Sequence, residues 1–305
     1  MLLTLVAAAS VAIAQSAVPH TTPPRRITVA KAEILAVAVH LPVATDAAPP
    51  RVVLIPPVMG SAYSMRGVTA SLVAKGYAVA VVDPLGMGES SAPIHADYSF
   101  AAQAGRVLAV LDSLAWGPVI VAGHATSATI AFHLAAQVPE RVRGVVSIAG
   151  GAVSSQHTDG VALAVKFAPI VDTPPGRIFA RRTVEKQLRE RSANSSWLTA
   201  TALAAYVAPW ESQLTARLRA VAAMSATTEP TPIESTLRRV QCPALVLLGD
   251  GTSKGMPTDV EVARLRAGIT TVRFERILDA GAMLPEEAPT AVAAAIDGFA
   301  TSLRR

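Results

Sequence analysis

The fold is decided by the segment Val119-Ile120-Val121-Ala122-Gly123-His124-Ala125-Thr126-Ser127-Ala128-Thr129. The run starts with β-branched apolar side chains, which predicts a short buried strand over residues 118–122. Helical spacing of apolar residues continues from Thr126 to Gln137. Small residues join the two patterns at 123–128, a turn called the elbow below. The segment therefore indicates a strand that enters a helix through a tight turn.

Strands and helices alternate on both sides of this segment. Apolar runs predict strands at residues 51–55, 78–82, 142–148, 244–248 and 272–278. Helical spacing predicts helices at 65–75, 100–114, 260–266 and 290–303, and two β-rich stretches, 27–29 and 33–40, precede them all. Such alternation forms a mostly parallel sheet with helices on both faces, so we predict an α/β fold.

The alternation is interrupted between residues 152 and 239. Helical patches are predicted there at 184–191, 199–207 and 214–224, with turns at Pro174-Pro175, Asn194-Ser195 and Pro230. We interpret 152–239 as a helical insertion that divides a core formed by residues 26–151 and 240–305. Its basic run, Arg177 to Arg191, is better explained as a solvated helix face than as a surface for an acidic partner.

The first residues have the pattern of an export signal. Leu2 to Ala14 is an apolar run that ends in Ala12-Ile13-Ala14, a cleavage pattern, and it is too short to span a bilayer. We therefore expect a signal peptide at 1–14, a linker at 15–25, and a periplasmic or secreted mature protein. No later segment has the length and apolar character of a stable membrane span.

Composition narrows the classes of function. The 305 residues are 51% apolar and 16% charged, which excludes a disordered chain. The net charge is +5, but aromatic residues make up only 4% and none interleaves with the basic run, so we expect no nucleic-acid partner. Because Cys242 is the sole cysteine, a disulfide within the chain and a zinc site built on cysteines are excluded. We expect no metal and no cofactor.

Three further motifs resemble those of one family. Asp83-Pro84-Leu85-Gly86-Met87-Gly88-Glu89-Ser90-Ser91 follows a predicted strand, Pro139-Glu140-Arg141-Val142 follows the central helix, and Asp279-Ala280-Gly281-Ala282 follows the last strand. With the elbow, these motifs resemble the α/β-hydrolase family over roughly residues 30 to 300. The resemblance implies the α/β-hydrolase fold, a helical lid at 152–239, and hydrolysis of carboxylic esters as the ancestral activity.

The catalytic positions that the resemblance implies hold unsuitable residues. Ala125 stands where the family has its serine nucleophile, Ala282 where it has histidine, and Thr252 where it has the acid, with Asp250 two positions away. In the family the histidine follows the acid, yet His157 is the last of the six histidines in this chain. Acyl transfer needs a hydroxyl or thiol and a base, and alanine supplies neither, so we predict a degenerate triad.

The binding half of such a site has candidate residues. The resemblance assigns the oxyanion hole to the backbone N–H groups of Val58 and Thr126, although the adjacent Pro57 has no N–H. We expect His124 to be a packed residue beside the elbow. Candidate pocket residues are His124, His157, Trp197, Tyr206 and Trp210.

Four functions fit these features. We favour a catalytically impaired hydrolase-like protein that is exported and binds a small apolar or ester-like ligand. The second is a genuine serine hydrolase with inactivating serine-to-alanine and histidine-to-alanine changes. The third is an enzyme with a displaced catalytic set, such as Asp250 and His157, and the fourth is an interaction module without a pocket. Ser127 is a poor substitute nucleophile, because its place on the first helical turn points it away from the elbow.

Overall fold

One eight-stranded sheet forms the centre of the protein. The computed structural model describes residues 23–43, 48–154, 165 and 173–303. The expected signal peptide at 1–14, most of the expected linker, and His157 lie outside this part of the chain, so these features stay predictions.

The strand order in the sheet is β1-β2-β4-β3-β5-β6-β7-β8. The strands are β1 (Arg25–Ala30), β2 (Glu33–His40), β3 (Arg51–Ile55), β4 (Ala78–Val82), β5 (Val119–His124), β6 (Val142–Ile148), β7 (Ala244–Gly249) and β8 (Val272–Ile277). Strands β1 and β2 pair antiparallel at one edge, β2 pairs antiparallel with β4, and all other pairs are parallel. This confirms the mostly parallel sheet. It also brings the carboxyl ends of β3, β5, β6 and β7 to one edge.

Helices cover the sheet and fill the segment between β6 and β7. They are α1 (Arg66–Ala74), α2 (Phe100–Ser113), α3 (Ala128–Gln137), α4 (Pro174–Glu190), α5 (Ala200–Ser212), α6 (Leu214–Ala226), α7 (Ile233–Arg238), α8 (Asp259–Gly268), α9 (Leu284–Glu287) and α10 (Pro289–Ser302). Helices α4 to α7 belong to the predicted helical insertion.

Alternate side chains of the central strands are buried on opposite faces of the sheet, as the period of a strand requires. On one face, the cluster that contains Val53 and Val121 includes apolar residues of α2 and α3. On the other face, the cluster that contains Val52 and Ala122 includes residues of α1 and α10. Burial on both faces explains why these strands appear in the sequence as continuous apolar runs rather than as alternating ones.

Two helices within the insertion differ from their predicted bounds. The prediction of a turn at Pro174-Pro175 was wrong, because α4 begins at Pro174. Proline is tolerated in the first helical turn, where its missing N–H has no intrahelical acceptor. The hydroxyl of Thr173 caps this helix by accepting the N–H of Gly176 at 3.3 Å. Helix α5 continues through Pro209 to Ser212 rather than ending near residue 207.

The described part of the chain contains neither a helix fit to span a membrane nor a cluster fit to bind a metal. Within residues 23–43, 48–154 and 173–303, none of the helices combines the length and the apolar character needed to cross a membrane. The same part of the chain has no cluster of three or more histidine, cysteine or acidic side chains that could hold a metal ion.

Candidate active site

The elbow has a strained backbone that its neighbours hold in place. Ala125 has a φ of 52°, in the left-handed region that costs a non-glycine residue roughly 1–2 kcal/mol. A Cβ on Gly123 would overlap the Ser127 carbonyl oxygen, and one on Gly150 would overlap the Ala125 carbonyl oxygen. Only glycine fits at these two positions, since the obstructing atoms belong to the backbone.

The carboxyl edge of the sheet contains a small cavity that adjoins the elbow. Its volume is about 80 Å³, and Ala125 and Ala282 both line it. The predicted site residues Val58, His124 and Trp210 line the same cavity, together with Tyr206. The remaining wall is largely apolar and consists of Pro57, Met59, Gly60, Val184, Gln187, Leu188, Arg191 and Met283.

His124 ties the elbow to the loop that carries Ala282. Its Nε2 lies 2.8 Å from the carbonyl oxygen of Ala282. Because a carbonyl only accepts, Nε2 carries the proton and donates it. Burial lowers the pKa of His124 to about 4, so the ring is neutral near pH 7. The imidazole therefore acts as a structural donor, in agreement with its prediction as a packed residue.

The loop after β3 carries one expected oxyanion donor. Met59 has a φ of 70°, and its N–H donates to the Sδ of Met87 at 3.2 Å. The indole Nε1 of Trp210 donates to the Met59 carbonyl oxygen at 3.1 Å, which anchors this loop to α5. The N–H of Val58 donates to no other described residue. Thr126 is the second residue of the elbow's 3₁₀ turn, so its N–H precedes the first intrahelical bond.

The expected acid and histidine positions lie in a region whose hydrogen bonds hold the C-terminal loop rather than the elbow. In the C-terminal loop, residues 278–283, the N–H of Asp279 donates to the Asp250 carboxylate at 2.7 Å. The N–H of Ala282 donates to the Ser253 hydroxyl at 3.0 Å and to the Arg191 carbonyl oxygen at 2.8 Å. Asp250 and Thr252 are exposed and do not line the cavity. The polar groups here hold the loop in place instead of facing the elbow.

The remaining candidates separate into lining and supporting residues. Tyr206 is buried and donates its hydroxyl to Glu286 at 2.8 Å, and burial raises its pKa well above the usual value. Trp197 does not line the cavity. It packs against the Tyr206 ring at 5.7 Å between centroids, and its Nε1 donates to the Ser192 hydroxyl. Ser127 is buried but is absent from the cavity lining, as its helical position predicted.

Sequence reasoning missed Arg191, Gln187 and Met283 as lining residues. Gln187 and Met283 carry no chemical signal that a sequence pattern could use. Arg191 was assigned to the solvated basic run, but it lies one turn after Gln187 and two turns after Val184, on the face of α4 that lines the cavity.

The fold and the site together define the class of this protein. A family model described as the alpha/beta hydrolase fold matches residues 50–289. The chain therefore belongs to the alpha/beta hydrolase fold family.

The chain is also similar to particular members. It is 29% identical over 149 residues to a protein of Klebsiella pneumoniae (strain 342) named "Putative carbamate hydrolase RutD", and the match covers 49% of this chain and 48% of the relative. A protein of the same name from Klebsiella variicola (strain At-22) matches equally well. The chain spans about half the length of the curated relatives it matches.

Solved structures share the fold over nearly the whole chain. Wild-type Cfl2 from Burkholderia cenocepacia superimposes with a TM-score of 0.72 at 21% identity, over 92% of this chain and 97% of that one. A thermophilic esterase from Thermogutta terrifontis superimposes with a TM-score of 0.70 at 20% identity, over 93% and 100% of the two chains. At such identities the likeness concerns the fold alone.

Proposed function

We propose that this protein is a catalytically impaired hydrolase that binds a small apolar or ester-like ligand in the cavity beside the elbow. One observation carries the proposal: Ala125 and Ala282, the expected nucleophile and histidine positions, line the same cavity. The two changes therefore remove both reacting groups from one place.

The chemistry of the cavity supports impairment. A serine hydrolase needs a hydroxyl, a base that accepts its proton, and a group that orients the base. Among the described residues of the lining, the one imidazole is that of His124, which donates to Ala282 and faces no hydroxyl nucleophile there. The Tyr206 hydroxyl donates its hydrogen bond to Glu286. No pair of these lining groups can generate a nucleophile.

The lining of the cavity supports the proposal that a ligand binds there. The N–H of Val58, a lining residue, offers a donor for a carbonyl oxygen, and the apolar wall suits the rest of the ligand. Thr126, the other expected donor, does not line the cavity. The cavity volume of about 80 Å³ exceeds the roughly 10–15 Å³ that one water-sized probe needs, so the cavity can hold a small chemical group. The relatives named "Putative carbamate hydrolase RutD" support a carbamate or a related ester as the ancestral substrate chemistry.

Turnover of p-nitrophenyl acetate and butyrate by the full chain and by a restored variant tests this proposal. We expect no turnover by the wild type above a buffer control. The variant Ala125→Ser/Thr252→Asp/Ala282→His should gain measurable turnover, because the elbow backbone and the expected oxyanion donors are present. The control Thr252→Asp/Ala282→His lacks the nucleophile and should stay inactive. Wild-type turnover above the buffer control, or restored activity that equals the control, would contradict the proposal.

We also propose that the protein is exported through residues 1–14. The apolar run that ends in Ala12-Ile13-Ala14 supports this. Cell fractionation with sequencing of the mature amino terminus tests it. We expect a terminus near Gln15 outside the cytoplasm, and a cytoplasmic protein with residues 1–14 intact would overturn it.

A further inference from the structure

Arg191 brings a cation to the otherwise uncharged cavity. It is the first residue after α4, and its carbonyl oxygen accepts the N–H groups of Ala282 at 2.8 Å and Met283 at 3.3 Å. These two bonds fix the Arg191 backbone beside the C-terminal loop. Of the described residues that line the cavity, Arg191 is the one with a charged side chain, because His124 and Tyr206 are both neutral near pH 7.

The Arg191 guanidinium has no carboxylate partner among the described residues. Its neighbours on α4 use the acidic groups nearby. Arg189 pairs with Glu185 at 2.8 Å, and Glu190 pairs with Lys254 at 3.1 Å and with Lys186 at 3.9 Å. Of these basic side chains, Arg191 alone lines the cavity and remains unpaired.

Two observations locate the guanidinium. A Cβ built on Gly255 would lie 3.5 Å from the Arg191 Nη1, which places the group against the loop after β7. Arg191 also lines the cavity, although the residue as a whole is exposed to solvent. The guanidinium therefore lies between the cavity and the loop after β7, at an exposed position.

We propose, on the basis of the proposed function, that the cavity is a receptor for a small carboxylate with an apolar body, and that Arg191 binds the carboxylate. A guanidinium presents N–H donors in a planar fork that matches the two oxygens of a carboxylate. The apolar wall then contacts the acyl chain. Among ester-like compounds, this favours the acid product over the neutral ester.

The test compares butyrate with butyramide, a neutral compound of nearly the same shape, by NMR titration of the full chain. We expect the wild type to bind butyrate about tenfold more tightly than butyramide, and we expect this preference to fall as sodium chloride rises. Arg191→Met should remove the preference while keeping the affinity for butyramide. Arg191→Lys should keep part of it, because the charge remains but the fork is lost.

Arg189→Met is the matched control, since Arg189 lies on the same helix but pairs with Glu185 away from the cavity. It should leave the preference unchanged. Equal binding of butyrate and butyramide by the wild type, or a preference that survives Arg191→Met, would overturn the role of Arg191 while leaving the proposed ligand-binding function intact. Binding of neither compound would overturn both.

Discussion

The elbow and the C-terminal loop contribute the two alanines of the cavity, but their backbones are held in different ways. At the elbow the backbone retains a strained left-handed residue and glycines pressed against neighbouring carbonyl groups, although Ala125 has no nucleophile to present. At the C-terminal loop the hydrogen bonds serve the loop itself, through Asp250, Ser253 and the Arg191 carbonyl. Tight packing against backbone atoms fixes the elbow, whereas hydrogen bonds to residues distant in the sequence fix the C-terminal loop.

The largest effect should come from crowding the elbow. Gly123→Ala drives a methyl into the Ser127 carbonyl oxygen, so we expect a loss of more than about 3 kcal/mol in the free energy of unfolding. Denaturant unfolding measures it. Gly298→Ala is the control, because a Cβ added at this position of α10 has no neighbour within 4 Å. This variant should gain about 0.5–1 kcal/mol in the free energy of unfolding. A Gly123→Ala protein as stable as the wild type would mean that the elbow is not tightly packed.

The second prediction concerns His124, which joins the two regions. Its pKa is about 4 in the folded protein against an ordinary 6.5, so the unfolded chain binds the proton more readily. The contribution of neutral His124 to stability is complete above pH 6.5 and is lost as the pH falls through that value toward 4. At 1.36 kcal/mol per pKa unit, this lowers the free energy of unfolding at pH 4 by about 3 kcal/mol.

His124→Gln tests this, because its amide can donate to the Ala282 carbonyl oxygen and does not titrate. Chemical unfolding between about pH 4 and 7.5 should show a shallower loss of stability for His124→Gln than for the wild type. His133, whose pKa is also about 4 through burial, should contribute a separate loss that persists in this variant. The exposed His95→Gln is the control and should follow the wild type. Identical profiles for all three proteins would show that His124 does not couple folding to protons.

A smaller effect of opposite sign is expected at Ala125 itself. Ala125→Gly relieves the left-handed strain of roughly 1–2 kcal/mol but raises the conformational entropy of the unfolded chain. We therefore expect a net gain of about 0.5–1 kcal/mol in the free energy of unfolding. Ala128→Gly, at a residue with an ordinary helical φ of −59°, should instead lose stability. Thermal unfolding compares the two. A loss at both positions would argue that the elbow is unstrained.

The smallest effect should come from the C-terminal loop. Ser253→Ala removes one acceptor of the Ala282 N–H, but the Arg191 carbonyl at 2.8 Å remains, so we expect a loss of less than about 1 kcal/mol. Urea unfolding midpoints measure it. A loss above about 2 kcal/mol would mean that the loop depends on one side chain as the elbow depends on Gly123.

The same contrast explains what the sequence could predict. The elbow was predictable because its strand, small residues and helix are contiguous in the chain, and each has its own period. The hydrogen bonds of the C-terminal loop were not predictable. They join its backbone groups to Arg191, Ser253 and Glu287, three residues that lie far from one another in the sequence. Arg191 was misjudged because the sequence of a basic helical run does not show which of its faces meets the cavity. The start of α4 was misplaced because Pro174-Pro175 suits both a turn and a first helical turn.

The central claim is that the emptied elbow has no activated nucleophile. Intact-mass spectrometry of the full chain after treatment with an alkyl fluorophosphonate tests it directly, because that reagent forms a covalent adduct with an activated serine. The account predicts no adduct on the wild type, and an adduct at position 125 only in the restored variant Ala125→Ser/Thr252→Asp/Ala282→His. A stoichiometric adduct on any serine of the wild type, Ser127 included, would contradict it.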